Sequence, residues 1–502
     1  MYRTVVKSVV AFSMFIIMAS VAEAGTFTAA AREKAVAGEY IVVLHEHAAR
    51  LVLEAGSAAA KPAVPAVAQR LSRRYGIRVL KTWDRVLRGM LISASEETAR
   101  RLAADPRVAL VEQRFMGTYE ASSSAGSCYG LDSYPYGTLF YRTPPAASPQ
   151  TLNCTDPDPT HDSGGSGQPP LCQDNWGLDL VDQHSLSRDG LYTYDRTGSI
   201  PGQVNVTIWV LDLGINAAHR EFLNSAGTAS RVSTIDFSND GTSCPANTDP
   251  IGHGTHTAAI AAGRIFGVAK DAYVTLLKVV KCTGGYSQDW FVEALNTAAG
   301  VRPSVVNWSG GNDQGILQSG AIRIAVQGTI NAGVMIVQAA GNQSSPYPQP
   351  GYSPAVYPTG VEDACNWSFG GIAGVLVAGG IDQNGARWTR QISGDLVQSF
   401  CPPDCGSNVG SCISLWAPAS NIVSAGQHDI YGYCRLSGTS MAAPMVAGAA
   451  ALYLQAHPSA TPAQVKAALI AAATPGLLNT NTTTPNHIGP GSPNLVLYTK
   501  VP

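Results

Sequence analysis

The sequence predicts an α/β protein on a mostly parallel sheet, preceded by a small α+β unit of ferredoxin-like order. Three observations point there. From about Asn175 to Pro502, short apolar strand-like runs alternate with helical stretches, the pattern of a parallel sheet with crossover helices. Residues 38–115 pack a β-α-β-β-α-β order into a short span. All ten cysteines lie between Cys128 and Cys434, so the leading unit is free of cysteine and separable from the cysteine-bearing body.

The first 24 residues read as a secretory signal. Arg3 and Lys7 supply positive charge, Ser8 to Val21 is a mostly apolar run of 14 residues, and Ala22-Glu23-Ala24 is a small-x-small cleavage pattern. The run is short for a membrane span and no second span follows, so no stable anchor is expected. An even cysteine count behind a signal implies disulfides and a secreted, extracellular destination.

In the leading unit, 25–115, Glu39 to His45 is a strand and Ala63 to Tyr75 a helix with Val64, Val67, Leu71 and Tyr75 on one face. Ile77 to Leu91 holds two short strands. Ser95 caps a second helix in which Glu96 and Glu97 favour the positive end, and Val108 to Glu112 is the last strand. Residues 116–173, rich in Ser, Tyr, Pro, Gly and Asp, have no periodicity and read as a linker or a disulfide-pinned extension. The body, 174–502, offers buried strands at Val206–Leu211, Tyr273–Val280, Val305–Asn307, Gly333–Ala339 and Gly374–Ala378. Hydrophobic residues make up 45% and charged residues 14% of the chain, enough for a large core, and a formal net charge of −2 without a basic run argues against a nucleic-acid partner.

Four positions carry candidate chemistry. Asp212 ends the apolar run VTIWVL, where strand carboxyl ends of a doubly wound sheet face a crevice. Alone, such an Asp is more often a loop cap. His253 opens H-G-T-H-T-A-A, and a His at a helix start has its charged form disfavoured, which suits a base near neutral pH. The Glu of the zinc-binding H-E-x-x-H is missing, so His256 reads as a packed structural residue. Ser440 lies in S-G-T-S-M-A-A-P ahead of a long apolar helix; it is an N-cap by base rate, or a nucleophile whose oxyanion meets the helix start. Asn342, after VMIVQAAG, is a turn residue or a side-chain donor to such an oxyanion.

Together the segments V-L-D-L-G, H-G-T-H-T-A, A-A-G-N and G-T-S-M-A-A-P resemble the four signature blocks of the subtilisin superfamily, in its Asp, His, Asn, Ser order. His253 follows Asp212 by 41 residues and Ser440 follows His253 by 187. N-W-G-L-D-L-V-D-Q, L-Y-T-Y, D-A-C-N-W-S and G-S-C-I-S-L-W-A-P are similar to the proteinase K-like branch and its aqualysin-like enzymes. The resemblance implies a subtilisin-like three-layer fold and a serine endopeptidase in which Ser440 attacks, His253 moves the proton, Asp212 orients His253, and Asn342 with the Ser440 N–H binds the oxyanion. It implies that 25–115 is an inhibitory propeptide that aids folding and is cut off between Arg114 and Ser124.

It also implies that protein and peptide substrates add as an extended strand along Gly284, Gly285, Ser309, Gly310 and Gly311. Ala339, Ala340 and Gly341 then wall a pocket without acidic residues, so specificity is expected to be broad, favouring apolar or aromatic side chains. Pairings Cys244–Cys282 and Cys365–Cys412 follow from the same resemblance, and Cys128, Cys154, Cys172, Cys401, Cys405 and Cys434 stay unassigned. No cofactor is expected for catalysis, and the chain is expected to be a monomer. Structural calcium is allowed for, with Asp156, Asp158, Asp162, Asp236 and Asp240 as oxygen donors and no ligand set assigned. Two departures stand out. Leu213 replaces a small hydroxylated residue and loses a hydrogen bond near Asp212, and Gly310 replaces Leu beside the pocket. The alternative function is a catalytically inactive binding protein on the same fold.

Overall fold

The computed structural model describes residues 25–46, 64–118 and 176–502 and the strand Gln150–Asn153, apart from 201, 225–226, 242–243, 312–318, 345–361, 391–404, 428–429, 431, 483 and 485. The expected signal segment, most of the 116–173 extension, Cys128, Cys154, Cys172, Cys401, Asp156, Asp158 and Asp162 lie outside the described residues.

The leading unit follows the expected order from its second strand on, after an unexpected first one: β1 Thr26–Thr28, β2 Ala35–Leu44, α1 Val64–Tyr75, β3 Arg78–Trp83, β4 Gly89–Ser93, α2 Glu96–Ala103 and β5 Val108–Thr118. The sheet runs β1-β5-β2-β4-β3. The β5-β2-β4-β3 core pairs antiparallel, and β1 adds to β5 in parallel. Ser95 caps α2 by accepting from the Thr98 N–H. Strand β2 is apolar at every position from Tyr40 to Leu44 because both faces are covered. Tyr40, Val42 and Leu44 pack with Val67 and Leu71 of α1 and Leu102 of α2. Ile41 and Val43 turn the other way, joining Trp83, Val86, Leu91, Leu110 and Phe115 in the core of the body.

In the body, β6 Thr207–Asp212, β7 Val232–Asp236, β8 Tyr273–Lys278, β10 Ser304–Trp308, β11 Met335–Ala339, β12 Leu376–Ile381 and β13 Leu415–Pro418 pair in parallel in the order β7-β8-β6-β10-β11-β12-β13, with β9 Gly285–Ser287 set apart. Two short strands, Leu495–Val496 and Thr474–Pro475, complete that edge. All five expected strands exist, with ends that differ from expectation by up to three residues. The buried helices α3 His253–Ala262 and α6 Thr439–Ala456 pack together and against the sheet; both are nearly all small or apolar residues, so neither needs a polar face. Helices α4 Gln288–Ala298 and α5 Gly320–Asn331 receive the leading unit.

That contact is specific. The Glu112 carboxylate, buried in the interface, accepts from the Ala321 N–H (2.9 Å) and the Ser319 hydroxyl (3.2 Å) at the start of α5. Arg114 pairs with Asp289 (2.7 Å) and Glu39 (2.5 Å). The indole of Trp83 donates to Glu293, and the Phe115 N–H donates to the Gln288 side chain. A Cβ at Gly328 would lie 1.7 Å from the Val86 carbonyl oxygen, so only glycine lets this loop approach α5. Strand β5 runs past its expected end at Glu112, and Met116, Gly117 and Thr118 pair antiparallel with Ser287, Tyr286 and Gly285 of β9. The boundary expected at 115/116 therefore falls within a continuous strand.

Candidate active site

The site forms where the carboxyl ends of β6, β10 and β11 meet the N-termini of α3 and α6. Asp212 is the last residue of β6, 1% exposed. One of its oxygens accepts from the Leu213 N–H (2.8 Å), and the other lies 2.8 Å from His253 Nδ1. The apolar Leu213 side chain is buried, and the contact of this residue to Asp212 runs through its backbone N–H, which any residue here would keep. Lys278, buried beneath, donates to the Leu213 and Val280 carbonyls and holds the turn after Asp212.

His253 is the first residue of α3, after Gly252 in the left-handed conformation (φ 83°). Burial works against its charged form, but the Asp212 charge and hydrogen bond, with a contribution from Asp249, more than offset it and raise its pKa. Asp249 was not anticipated. Its buried carboxylate accepts from the N–H groups of Gly252 (2.9 Å) and Thr255 (2.8 Å) and from the Thr255 hydroxyl (2.7 Å), capping the helix that carries His253. Burial, with Asp212 nearby, pushes Asp249 up to about 6. Asp249 lies three residues ahead of the N-cap position, Gly252, so no capping pattern in the sequence marks it. His256 packs as expected, with Nε2 facing the carbonyls of Ile422 (3.0 Å) and Cys434 (3.2 Å) and a pKa lowered to about 3, chiefly by burial.

Ser440 is the second residue of α6, and its hydroxyl donates to the Ser309 carbonyl at 2.6 Å. Gly438 (φ 141°) makes the turn into the helix. Asn342 Oδ1 accepts from the Thr439 N–H (2.9 Å) and hydroxyl (2.8 Å), which fixes the carboxamide next to Ser440. Thr439 lies inside the G-T-S motif, but its tie to Asn342, 97 residues away, is not a local property.

Ser309, Gly310 and Gly311 continue β10, and Ala340 and Gly341 continue the neighbouring β11. Trp367 closes the space between them: a Cβ at Gly311 would lie 2.0 Å from its ring, and one at Gly341 2.9 Å. Gly284 (φ 85°) precedes β9, whose Gly285 faces Thr118, so the expected substrate edge is filled by the chain's own β5.

Cys244–Cys282 and Cys365–Cys412 are disulfides, as the resemblance implied, and Cys405 and Cys434 are also disulfide-bonded. Asp236 accepts from the Ser238 N–H and hydroxyl. Asp240 accepts from the Cys282 N–H and pairs with Lys278 at 3.5 Å. With an ammonium already there, this pair of carboxylates does not suit a calcium ion. Among the described residues, the remaining cluster of ligating types is Asp240 with Cys244 and Cys282, whose sulfurs are bonded to each other.

A mostly parallel doubly wound sheet with Asp, His, Asn and Ser gathered at one end defines a class of hydrolase site. Residues 203–491 match the Subtilase family, and the chain belongs to that family of serine proteases. It is 33% identical over 475 residues, 93% of this chain and 90% of the relative, to an extracellular serine proteinase of Thermus sp. (strain Rt41A). It is 31% identical over 412 residues, 81% of this chain and 59% of the relative, to alkaline serine exoprotease A of Vibrio alginolyticus. Among solved structures, a cold-adapted subtilisin-like serine proteinase matches with a TM-score of 0.50 at 32% identity, covering 65% of this chain and 98% of that one. Fervidolysin from Fervidobacterium pennivorans matches with a TM-score of 0.55 at 17% identity, covering 95% and 62%, a likeness of fold.

Proposed function

We propose that this chain is a secreted serine endopeptidase made with an N-terminal inhibitory unit, and that Asp212, His253, Ser440 and Asn342 perform its chemistry. The observation that carries the proposal is the buried His253–Asp212 pair at 2.8 Å, together with an Asn342 anchored on Thr439, the residue just before Ser440. Ser440 attacks the scissile carbonyl once its hydroxyl leaves the Ser309 carbonyl for His253. His253 takes the proton and returns it to the leaving amine, giving an acyl-enzyme, and Asp212 holds the imidazole and stabilises its charged form. Asn342 Nδ2 and the Ser440 N–H bind the oxyanion, the Asn342 Oδ1 being occupied by Thr439.

The substrate strand pairs with Gly285–Ser287 and Ser309–Gly311, and no acidic residue stands in 284–287, 309–311 or 339–341 to hold a Lys or Arg, which supports broad specificity favouring apolar or aromatic side chains. The 25–118 unit fills the same strand position through Met116–Thr118 and so acts as the enzyme's own inhibitor until it is cut away. The mature enzyme acts as a monomer outside the cell, without a cofactor.

Ser440→Ala should abolish both casein hydrolysis and removal of the leading unit, and a fluorophosphonate should label the wild-type Ser440 alone. Self-maturation by Ser440→Ala would refute the assignment. An unlabelled wild-type protein would instead support an inactive binding protein, the reading favoured by the Ser440–Ser309 contact.

A further inference from the structure

The loop that presents Asn342 has no regular secondary structure of its own, yet a hydrogen-bond donor to an oxyanion must be placed within a few tenths of an ångström. Thr439 fixes the side-chain oxygen of Asn342. The backbone on either side is fixed by a residue no motif contains. Asn408 is 1% exposed, and both polar atoms of its side chain turn onto this one loop. Its Oδ1 accepts from the N–H of Gln343 (2.9 Å), the N–H of Ser344 (3.0 Å) and the Ser344 hydroxyl (3.3 Å). Its Nδ2 donates to the Ala340 carbonyl (3.0 Å) and to the Gln343 side chain (3.0 Å). Its backbone N–H donates to the Gly341 carbonyl (2.9 Å), and the neighbouring Gly406 N–H reaches the Asn342 carbonyl (3.2 Å).

One carboxamide thus touches residues 340, 343 and 344 while its own backbone holds 341, bracketing Asn342. Gly341 adopts a φ of 95°, and a Cβ there would stand 2.4 Å from Asn408 Nδ2, so the loop's shape and this close approach go together. We infer that Asn408 is a positioning residue for the oxyanion donor, acting on transition-state binding through Asn342 without touching the substrate. The inference rests on the reading of Asn342 given above.

The test is a double-mutant cycle of kcat and KM on the matured enzyme. Asn342→Ala should lower kcat by about 10²–10³, the magnitude known for the corresponding donor of subtilisin. Asn408→Ala should lower kcat by about 10–100-fold with KM within about twofold, the effect of a displaced catalytic group. Because both act through one group, Asn408→Ala in the Asn342→Ala background should cost less than about threefold more. A peptide boronate that forms the tetrahedral adduct should lose affinity in parallel with kcat, while an unreactive substrate-like peptide should not. Losses that multiply in full, or a raised KM at unchanged kcat, overturn the inference. An Asn342→Ala enzyme with unchanged kcat overturns the oxyanion reading beneath it. Should Asn408→Ala fail to accumulate, Asn408→Asp keeps the acceptor for Gln343 and Ser344 but loses both Nδ2 donations, and the same cycle with it decides by the same outcomes.

Discussion

In the proposed mechanism His253 is the base and sets the pH dependence of the site. It serves as a base only when neutral, and its pKa is raised above the ordinary 6.5. The acid limb of kcat/KM should therefore fall above that value, with activity lost as pH drops through the raised pKa. Asp249 contributes negative charge to this shift, so Asp249→Asn should move the limb to lower pH; a pH–rate profile of both proteins measures it, and an unmoved limb would count against the Asp249 role. At this scale the sequence was legible where a motif is local. Asp212, His253, Asn342 and Ser440 each sit in a short run with a recognisable strand or helix junction. Asn408 was illegible because its significance lies in five contacts to residues more than sixty positions away.

Strand β5 joins the two units. Its alternation places Leu110, Glu112 and Arg114 toward the body, where Glu112 meets the start of α5 and Arg114 meets Asp289. Burial outweighs the hydrogen bonds that Glu112 accepts and raises its pKa in the docked state. A raised carboxylate favours the protonated form of the complex, so this contribution is fully present below the undocked pKa of 4.5 and is lost as pH rises through the docked value. Inhibition by the separated leading unit should weaken as pH rises from 4.5 through the raised docked value, and Glu112→Gln should flatten that dependence. Gly328→Ala should weaken inhibition by at least about tenfold, since the methyl would displace the Val86 carbonyl; unchanged inhibition would show that the loop can retreat freely. Existence and order of these elements were readable from periodicity and capping residues. The extension of β5 to Thr118 was not, because Met116–Thr118 is held by pairing with β9, far away in sequence.

Across the whole molecule, cross-links and shared cores decide stability. Cys365 and Cys412 close a loop of sequence separation 47 beside the Asn342 and Asn408 segments. Replacing both by Ser should cost up to about 4 kcal/mol by the loop-entropy model, seen as a lower denaturation midpoint with an unchanged slope. The sequence by itself determined the α/β class, most of the element order of the leading unit and the four residues proposed for the chemistry, because strand and helix periodicity and short signature blocks are properties of neighbouring residues. Only the tertiary structure decided that β2 is buried on both faces, that β5 runs on to pair with β9, and that Asn408 brackets Asn342. Those features depend on which distant backbones and side chains meet, and the free energy of such meetings is set by packing and hydrogen-bond satisfaction in the folded chain rather than by any local pattern.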